Sequence, residues 1–369
     1  MGSMPPATER DDSAVFPLLA DTSGYRACTF DLAQYPDRRA YWLDLFRDHF
    51  HKLLLEAGRE AEDRGVDASA AIADARDGFF AYLDGIDAPA EPLASLTILE
   101  ICHAREHALR AAGIADPYRL AKQAENDQAL ERLPGVLAAL DALPDSERAL
   151  AVLQGVFAGN IYDLGATKTI DMFTDKRVDF DAVRAKLKPR PWFIDDADQW
   201  LERVGSTGLP PYRCACLFVD NAGPDITLGM LPLARFLLSR GTEVILTANT
   251  EPSLNDVTHD ELETLIETAA GLDPLIAQAR SERRLHLVPS GNWAPLIDLS
   301  RVSPALAATV SEHGVDLVVL EGMGRGLESN FDARLSCDCL KLAMIKDLGV
   351  ADALGGAELF DLVCRFESV

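Results

Sequence analysis

The sequence lacks several features that mark particular classes of protein. No apolar run reaches the roughly 18 residues that a membrane-spanning helix needs, and the N-terminus lacks the basic-then-apolar order of a secretory signal. The seven histidines are scattered along the sequence, and the close cysteine pairs Cys214/Cys216 and Cys337/Cys339 lack the two intervening residues of a zinc motif. We therefore predict a cytoplasmic protein with reduced cysteines in its core and no membrane partner.

Basic residues are scarce relative to acidic ones. The chain has 35 Lys and Arg against 59 Asp and Glu, which gives a formal net charge of −24. Such a surface repels a phosphate backbone, so we expect no nucleic-acid partner. A small phosphorylated metabolite is still compatible, because a bound divalent cation can reverse the local field. The composition gives no signal for an oligomeric state.

The chain divides into three regions by sequence pattern. Residues 1–24 are polar and predict a loose N-terminal arm. Residues 25–190 are mainly helical in pattern and predict an all-helical subdomain with a connector. Residues 191–369 alternate between strand and helix patterns and predict an α/β domain. The first long helix has a broad apolar stripe made of Trp42, Leu43, Phe46, Phe50, Leu53 and Leu54.

The alternation after residue 212 predicts the fold class. Apolar runs such as CACLFVD (214–220) and VDLVVLEG (315–322) are typical of strands buried on both faces, and amphipathic helices separate them. We therefore expect an α/β fold with a mostly parallel, Rossmann-like sheet sandwiched by helices. The stretch 332–355, DARLSCDCLKLAMIKDLGVADALG, is predicted to be a long helix, and 358–367 is predicted to close the domain as a strand.

In such a sheet, ligands bind beyond the carboxyl ends of the strands. Four predicted strands end in loops rich in acids, amides, hydroxyls and glycine, and these loops should lie at the same edge. They are Asp220-Asn221, Asn249 with the following residues 251–258, 290–292, and Glu321-Gly322-Met323-Gly324-Arg325.

Two of these loops contain the ligands that a hard divalent cation prefers. Asp220, Asn221 and Asp256 provide two carboxylates and an amide, a set that suits Mg²⁺ or Mn²⁺. A cation would also relieve the repulsion between carboxylates that share one crevice. The competing interpretations are a helix cap for Asp256 and a turn residue for Asn221.

Further residues could contact an anion. The glycines of EGMGRG (321–326) let backbone N–H groups approach it, and Arg325 adds a guanidinium, although a tight turn with a solvated Arg is the alternative. Asn160 and Asp163 share one face of a predicted helix and could reach the crevice from above, or form a cap or a buried pair. Lys341 and Lys346, five positions apart on the predicted last helix, point about 140° apart, so only one can face the crevice.

These stretches resemble the metal-dependent damage-control phosphatases, a family that includes the phosphatase domain attached to an inactive pantothenate-kinase-like protein. The resemblance covers about residues 155–369, and EGMGR resembles the mark of the subfamily with that domain. The matching stretches are GNIYDLGA (159–166), FVDNAGPDITLGMLPLARFLLSRGTEVILTAN (218–249), PSLNDVT (252–258), EGMGRGLESN (321–330) and CLKLAMIK (339–346).

The resemblance implies hydrolysis of phosphate monoesters of small, often damaged metabolites, such as sugar phosphates or phosphopantetheine-like compounds. It implies a divalent metal ion (Mg, Mn, Co or Ni) on Asp220, Asn221 and Asp256. It also implies catalytic roles for Asp220 and Lys346, with Lys346 preferred to Lys341 as the phosphate-facing lysine. The residues that it implies around the phosphate and substrate are Asn160, Asp163, Asn249, Glu321, Gly322, Met323, Gly324 and Arg325.

Several alternatives stay open at the level of sequence. The nucleophile is either a metal-activated water or Asp220 itself. A protein that binds a sugar phosphate or nucleotide without hydrolysing it is the alternative to an enzyme. A third possibility is the family's chemistry redirected to a specialised metabolite. A dinucleotide-dependent enzyme is disfavoured, because DNAGPD (220–225) does not provide the glycine fingerprint after the first strand.

Overall fold

The computed structural model describes residues 12–28, 30–89, 93–161, 180–205 and 209–369. Asp163 lies outside the described residues. The helices are α1 (Pro36–Asp63), α2 (Ser69–Asp87), α3 (Ile98–Ala111), α4 (Arg119–Asp141), α5 (Asp145–Asn160), α6 (Phe180–Ala185), α7 (Ala197–Gly205), α8 (Leu231–Ser239), α9 (His259–Leu272), α10 (Pro274–Ser281), α11 (Pro304–His313) and α12 (Leu348–Ala353). The strands are β1 (Ile194–Asp195), β2 (Cys214–Phe218), β3 (Glu243–Ala248), β4 (Leu285–Pro289), β5 (Leu317–Glu321), β6 (Asp338–Met344) and β7 (Leu362–Glu367).

The predicted α/β sheet is confirmed. The strands form one sheet in the order β1-β7-β6-β5-β2-β3-β4. Strands β2 to β6 run parallel to one another, while β7 pairs antiparallel with β6. Every residue of β2 and β5 is buried, as expected for strands covered on both faces. Because alternate residues point to opposite faces, Ala215 and Leu217 pack into one core, and Cys216 and Phe218 into another.

Helices of the N-terminal region cover both faces of this sheet. Helices α4 and α5 pack on one face in the same core as Leu217. Helices α1 to α3 pack on the other, in a core that includes Ala343 and Ile345. The predicted apolar stripe of α1 is confirmed, since all six of its residues are buried. Both cores therefore contain residues from before and after position 190, which the sequence suggested as a domain boundary.

The described part of the predicted N-terminal arm is packed against the α/β region rather than loose. Phe16 is fully buried and meets Phe218 edge to face, with ring centroids 5.6 Å apart. The backbone of Ala14 pairs with Val302, and that of Leu19 pairs with Leu335. A few apolar side chains in a polar segment are thus enough to fix it on the domain.

The predicted long helix over 332–355 is wrong. Residues 338–344 form β6, which is nearly wholly buried, and only the short helix α12 follows it. Lys341 therefore lies in a strand, where its Nζ donates hydrogen bonds to the carbonyl oxygens of Phe331 (2.8 Å) and Ala333 (3.0 Å) and pairs with Glu367 (3.0 Å). The predicted closing strand is confirmed as β7, and its hydrogen bonds to β6 explain why this segment is extended.

All seven cysteines are buried and unpaired, as predicted. No helix in the described ranges is long and apolar enough to cross a membrane.

Candidate active site

The site begins where β2 ends. Asp220 and Asn221 follow this strand, and the segment after β3 folds back beside them: the Val257 N–H donates to the Asp220 carbonyl (3.0 Å), and the Ala222 N–H donates to the Asn255 carbonyl (2.9 Å). These backbone bonds bring Asp256 next to Asn221. The N-cap of α9 is Thr258, which forms a capping box with Glu261, so Asp256 is not needed as a cap.

The three predicted metal ligands line one cavity. Asp220, Asn221 and Asp256 all contribute to its wall, and its volume is about 530 Å³. Lys346 and Met323 line the same cavity, whereas Lys341 does not. The walls away from the acids are largely apolar. They are formed by side chains from the helical region and neighbouring loops, including Trp42, Leu45, Phe46, Ile98, Leu254 and Leu296, while Asp44, Asp48, His49 and Lys52 of α1 also line the cavity.

Buried carboxylates extend behind Asp220. Carboxylate oxygens of Asp220, Asp225 and Glu321 all lie within 4.8 Å of one another. The Asn160 amide, at the end of α5, connects them: its Nδ2 lies 2.7 Å from Glu321 Oε1, 3.0 Å from Asp225 Oδ2 and 3.3 Å from Asp220 Oδ2. Asn221 Nδ2 donates to Asp225 Oδ2 (2.8 Å) and Asp220 Oδ2 (3.0 Å). The two amides thus hold three acids in one fixed cluster.

The cluster is electrostatically strained without additional positive charge. Burial raises the pKa of Asp225 to about 7, and the negative charge of Asp220 adds to this shift. Burial and the charges of Asp225 and Asp220 also raise the pKa of Glu321 well above its ordinary range. Protons or a cation must therefore compensate the carboxylates near neutral pH.

Arg325 provides one compensating charge. Its guanidinium is fully buried, pairs with Asp220 through Nη1, and donates from Nη2 to Asp256 Oδ2 (2.9 Å) and Asn249 Oδ1 (3.2 Å). Asn249 also donates from Nδ2 to Asp256 Oδ2 (2.8 Å). Arg325 is thus not a solvated turn residue, and it engages two of the three predicted metal ligands.

Lys346 and the glycine-rich loop (321–326) lie beside the acid cluster that contains Asp220. Lys346 Nζ donates to the Asn160 carbonyl (2.8 Å), which is at the C-terminus of α5, and its backbone N–H lies 3.4 Å from Met323 Sδ. Gly322 has φ +96°, and a Cβ at this position would lie 2.2 Å from Asp220 Oδ2. The loop therefore approaches Asp220 as closely as glycine permits.

Some residues of the site were not predicted from the sequence. Asp225 lies four residues after Asn221 and begins the π-helical turn Asp225–Met230. Its closeness to Asp220 and Asn221 in the motif DNAGPD (220–225) was the signal that could have indicated its place in the site. Glu328 lines the cavity, and burial, with the charges of Asp347 and Asp220, raises its pKa to about 8. Lys122 in α4 supports the Asp256 segment through the Asp256 carbonyl (3.4 Å). The plain helical pattern around Lys122 gave no indication of this contact.

These observations define a class of site: buried acids and amides at the carboxyl edge of a parallel sheet, beside an arginine and a lysine, in a cavity large enough for a small metabolite. Oxygen ligands next to basic side chains are what a divalent cation and a phosphate group require together.

The chain belongs to the damage-control phosphatase family, because residues 49–360 match the damage-control phosphatase ARMT1-like domain. It is 35% identical to the 4'-phosphopantetheine phosphatase of Mus musculus over 95% of this chain and 48% of the mouse protein. It is 40% identical to a damage-control phosphatase of Arabidopsis thaliana, over 73% of this chain and 72% of the plant protein. The chain thus spans less than half the length of the mouse relative.

A solved structure supports the fold. The crystal structure of a DUF89 family protein from Pyrococcus horikoshii superposes with a TM-score of 0.58, covering 88% of this chain and 96% of the archaeal chain. The sequence identity is 16%, so this likeness concerns the fold alone. The family predicted from the sequence is confirmed by the domain match and by both relatives.

Proposed function

We propose that this chain is a metal-dependent phosphatase that hydrolyses phosphate monoesters of small metabolites. The observation that carries the proposal is the convergence of Asp220, Asn221, Asp256 and Lys346 on the wall of one cavity. Membership of a phosphatase family gives this convergence its chemical meaning.

The residues present fit a divalent cation. The cavity offers the carboxylates of Asp220 and Asp256 and the amide of Asn221, and the acids behind them carry raised pKa values that positive charge would relieve. Among the described residues, the buried atoms Asn160 Oδ1 and Asp225 Oδ1 have no hydrogen-bond partner, so this part of the cluster has unused acceptors. We assign Asp220, Asn221 and Asp256 as the ligands. An all-oxygen set favours Mg²⁺ or Mn²⁺, with Co²⁺ or Ni²⁺ as substitutes.

The protein's own residues provide the rest of the chemistry. When bound, the divalent cation supplies positive charge that offsets the charge developing on the phosphoryl group. Lys346 holds the phosphoryl oxygens from the α5 side, and the buried Arg325 acts from behind the cavity wall by fixing Asp220 and Asp256 and adding positive charge. Asn249, Glu321, Gly322, Met323 and Gly324 keep these groups in position.

The nucleophile is either a water molecule or the Asp220 carboxylate. In the second case an aspartyl-phosphate forms as the ester P–O bond breaks, and water then releases phosphate. The intact mass of acid-quenched enzyme distinguishes the two, because only attack by Asp220 leaves a phosphoryl group on the chain.

The cavity indicates the kind of substrate. A phosphate held at the acidic end leaves the rest of the molecule against the largely apolar wall formed by Trp42, Phe46, Ile98 and Leu296. An extended ester with a partly apolar body fits this wall better than a compact, fully hydroxylated sugar phosphate. The name of the mouse relative makes 4'-phosphopantetheine the first compound to test.

The test is phosphate release from 4'-phosphopantetheine, a sugar phosphate and a generic aryl phosphate, with Mg²⁺ or Mn²⁺ and with chelator. We expect release that chelator abolishes, and loss of that release in Asp256→Asn. Asp260→Asn is the matched control, because its side chain is 99% exposed and lies four residues further along. Binding of these compounds without any phosphate release would support a non-catalytic binding protein instead.

A further inference from the structure

A second group of metal-ligating side chains lies at the opposite edge of the sheet from the active site. Glu243 Oε2, His286 Nε2 and His313 Nδ1 come together there although the sequence separates them widely. We propose that these three residues bind one divalent transition-metal ion of the zinc type. This site is independent of the cation that the phosphatase reaction requires.

The sheet topology places the three side chains together. Glu243 is the first residue of β3, and Ile245, which points to the same face, pairs with His286 of the edge strand β4. Glu243 and His286 are therefore diagonal neighbours on the face that α11 covers. His313 is the last residue of α11, and Gly314, in the left-handed conformation with φ +57°, ends that helix directly after it. The helix end thus lies above the amino ends of both strands.

The distances suit a tetrahedral ion. His313 Nδ1 lies 2.8 Å from Glu243 Oε2, and His286 Nε2 lies 3.5 Å from the same oxygen. With zinc bonds of about 2.0–2.1 Å, ligand atoms of a tetrahedral site lie roughly 3.3 Å apart, so small side-chain adjustments suffice. The two imidazole rings are already close, with centroids 4.1 Å apart and planes at 50°.

The electrostatics also favour a metal ligand. Among the described residues, the buried Nε2 atom of His286 makes no hydrogen bond, so it can serve as a metal ligand. Glu243 supplies a negative charge, and Arg280, a cation in the last turn of α10, already donates from Nη1 to the Leu285 carbonyl (3.0 Å).

The ligand set indicates which ion binds. Two imidazoles and one carboxylate suit Zn²⁺, Co²⁺, Ni²⁺ or Cu²⁺ far better than Mg²⁺, which prefers oxygen. Three protein ligands leave the fourth position to water. Because β3, β4 and α11 are joined by the ion, binding should raise the thermal stability of the chain.

The experiment is a titration of Zn²⁺ into the whole chain carrying Asp256→Asn, after treatment with chelator. The Asp256→Asn substitution weakens cation binding at the proposed active site. We expect one equivalent to bind and the melting temperature to rise. Adding His286→Gln and His313→Gln should weaken this binding by about 100-fold or more and abolish the rise in melting temperature. Co²⁺ should give the intense visible absorption of a tetrahedral complex only when both histidines are present.

Two further variants keep the test decisive. Glu243→Gln retains a side chain of the same size, so weaker Zn²⁺ binding with an unchanged metal-free melting temperature supports the site without a folding defect. His51→Gln removes an exposed imidazole on α1 and should leave Zn²⁺ binding unchanged. Absence of Zn²⁺ binding in the Asp256→Asn chain, or equal binding after both histidines are replaced, would overturn the proposal.

Discussion

Replacing Gly322 with alanine tests how closely the glycine-rich loop must approach Asp220. The backbone has φ +96° and ψ 154°, a region that is essentially open only to glycine, and forcing another residue into it costs about 1–3 kcal/mol. The added Cβ would also lie 2.2 Å from Asp220 Oδ2 and 2.5 Å from its Cγ. Normal contact requires about 3.2 Å, so the Asp220 carboxylate must move by roughly 1 Å, a displacement that can cost about 100-fold in rate.

The assay for Gly322→Ala combines stability and kinetics. We expect a loss of about 1–3 kcal/mol in the free energy of unfolding, measured by urea titration. In protein that circular dichroism shows to be folded, we expect kcat/KM for phosphate release to fall by about 100-fold.

Gly356→Ala is the matched control. Gly356 has a comparable φ of +118°, but a Cβ there meets no atom of the described residues within 4 Å. The Gly356→Ala variant should therefore lose stability through backbone strain but keep its kcat/KM. A Gly322→Ala enzyme with kcat/KM within about threefold of the parent, or an equal loss of kcat/KM in both variants, would show that Asp220 does not need glycine at position 322.

Three further predictions concern single side chains. Asp220→Asn should abolish metal-dependent phosphate release while leaving the circular dichroism spectrum unchanged; full activity would contradict its assignment as a ligand. Lys346→Met should lower kcat by about 10²–10³-fold. Lys341→Met should lower stability by about 1–3 kcal/mol and leave the kcat of folded protein within about threefold, since Lys341 binds two buried carbonyls and Glu367 and does not line the cavity. Burial lowers the pKa of His103 to about 4. The unfolded state therefore takes up a proton near pH 6.5, whereas the folded state does so only near pH 4. The free energy of unfolding should thus fall as pH falls between these values, by about 2 kcal/mol from pH 7 to pH 5. His103→Phe, which retains an aromatic ring against Trp293, should lose less stability over that interval in urea titrations, and an identical loss would contradict the prediction.

Much of the site could be predicted because its residues follow strands with clear patterns. Asp220, Asn249 and Glu321 end parallel neighbouring strands, so the topology alone brings them to one edge. Asp256 was harder to assign, because its position before a helix also suits a cap. Only the structure distinguishes the two roles, since Thr258 caps the helix and Asp256 faces Arg325.

The β6 region shows where sequence patterns mislead. Cys339 to Met344 is an apolar run with one lysine. Such a run is compatible both with a buried helix and with a strand buried on both faces. Hydrogen bonding to β5 and β7 decides in favour of the strand. Lys341 is tolerated there because two carbonyls and Glu367 satisfy its ammonium group.

By itself the sequence determined the α/β class, the family and the polar residues that directly follow the strands, because strand periodicity and local motifs are short-range properties. The tertiary structure decided which distant side chains meet. Asp225 joins Asn160 and Glu321 only when α5 docks on the sheet, and His286 reaches His313 only when α11 crosses over β4. Such meetings depend on strand order and helix packing, which no local pattern specifies.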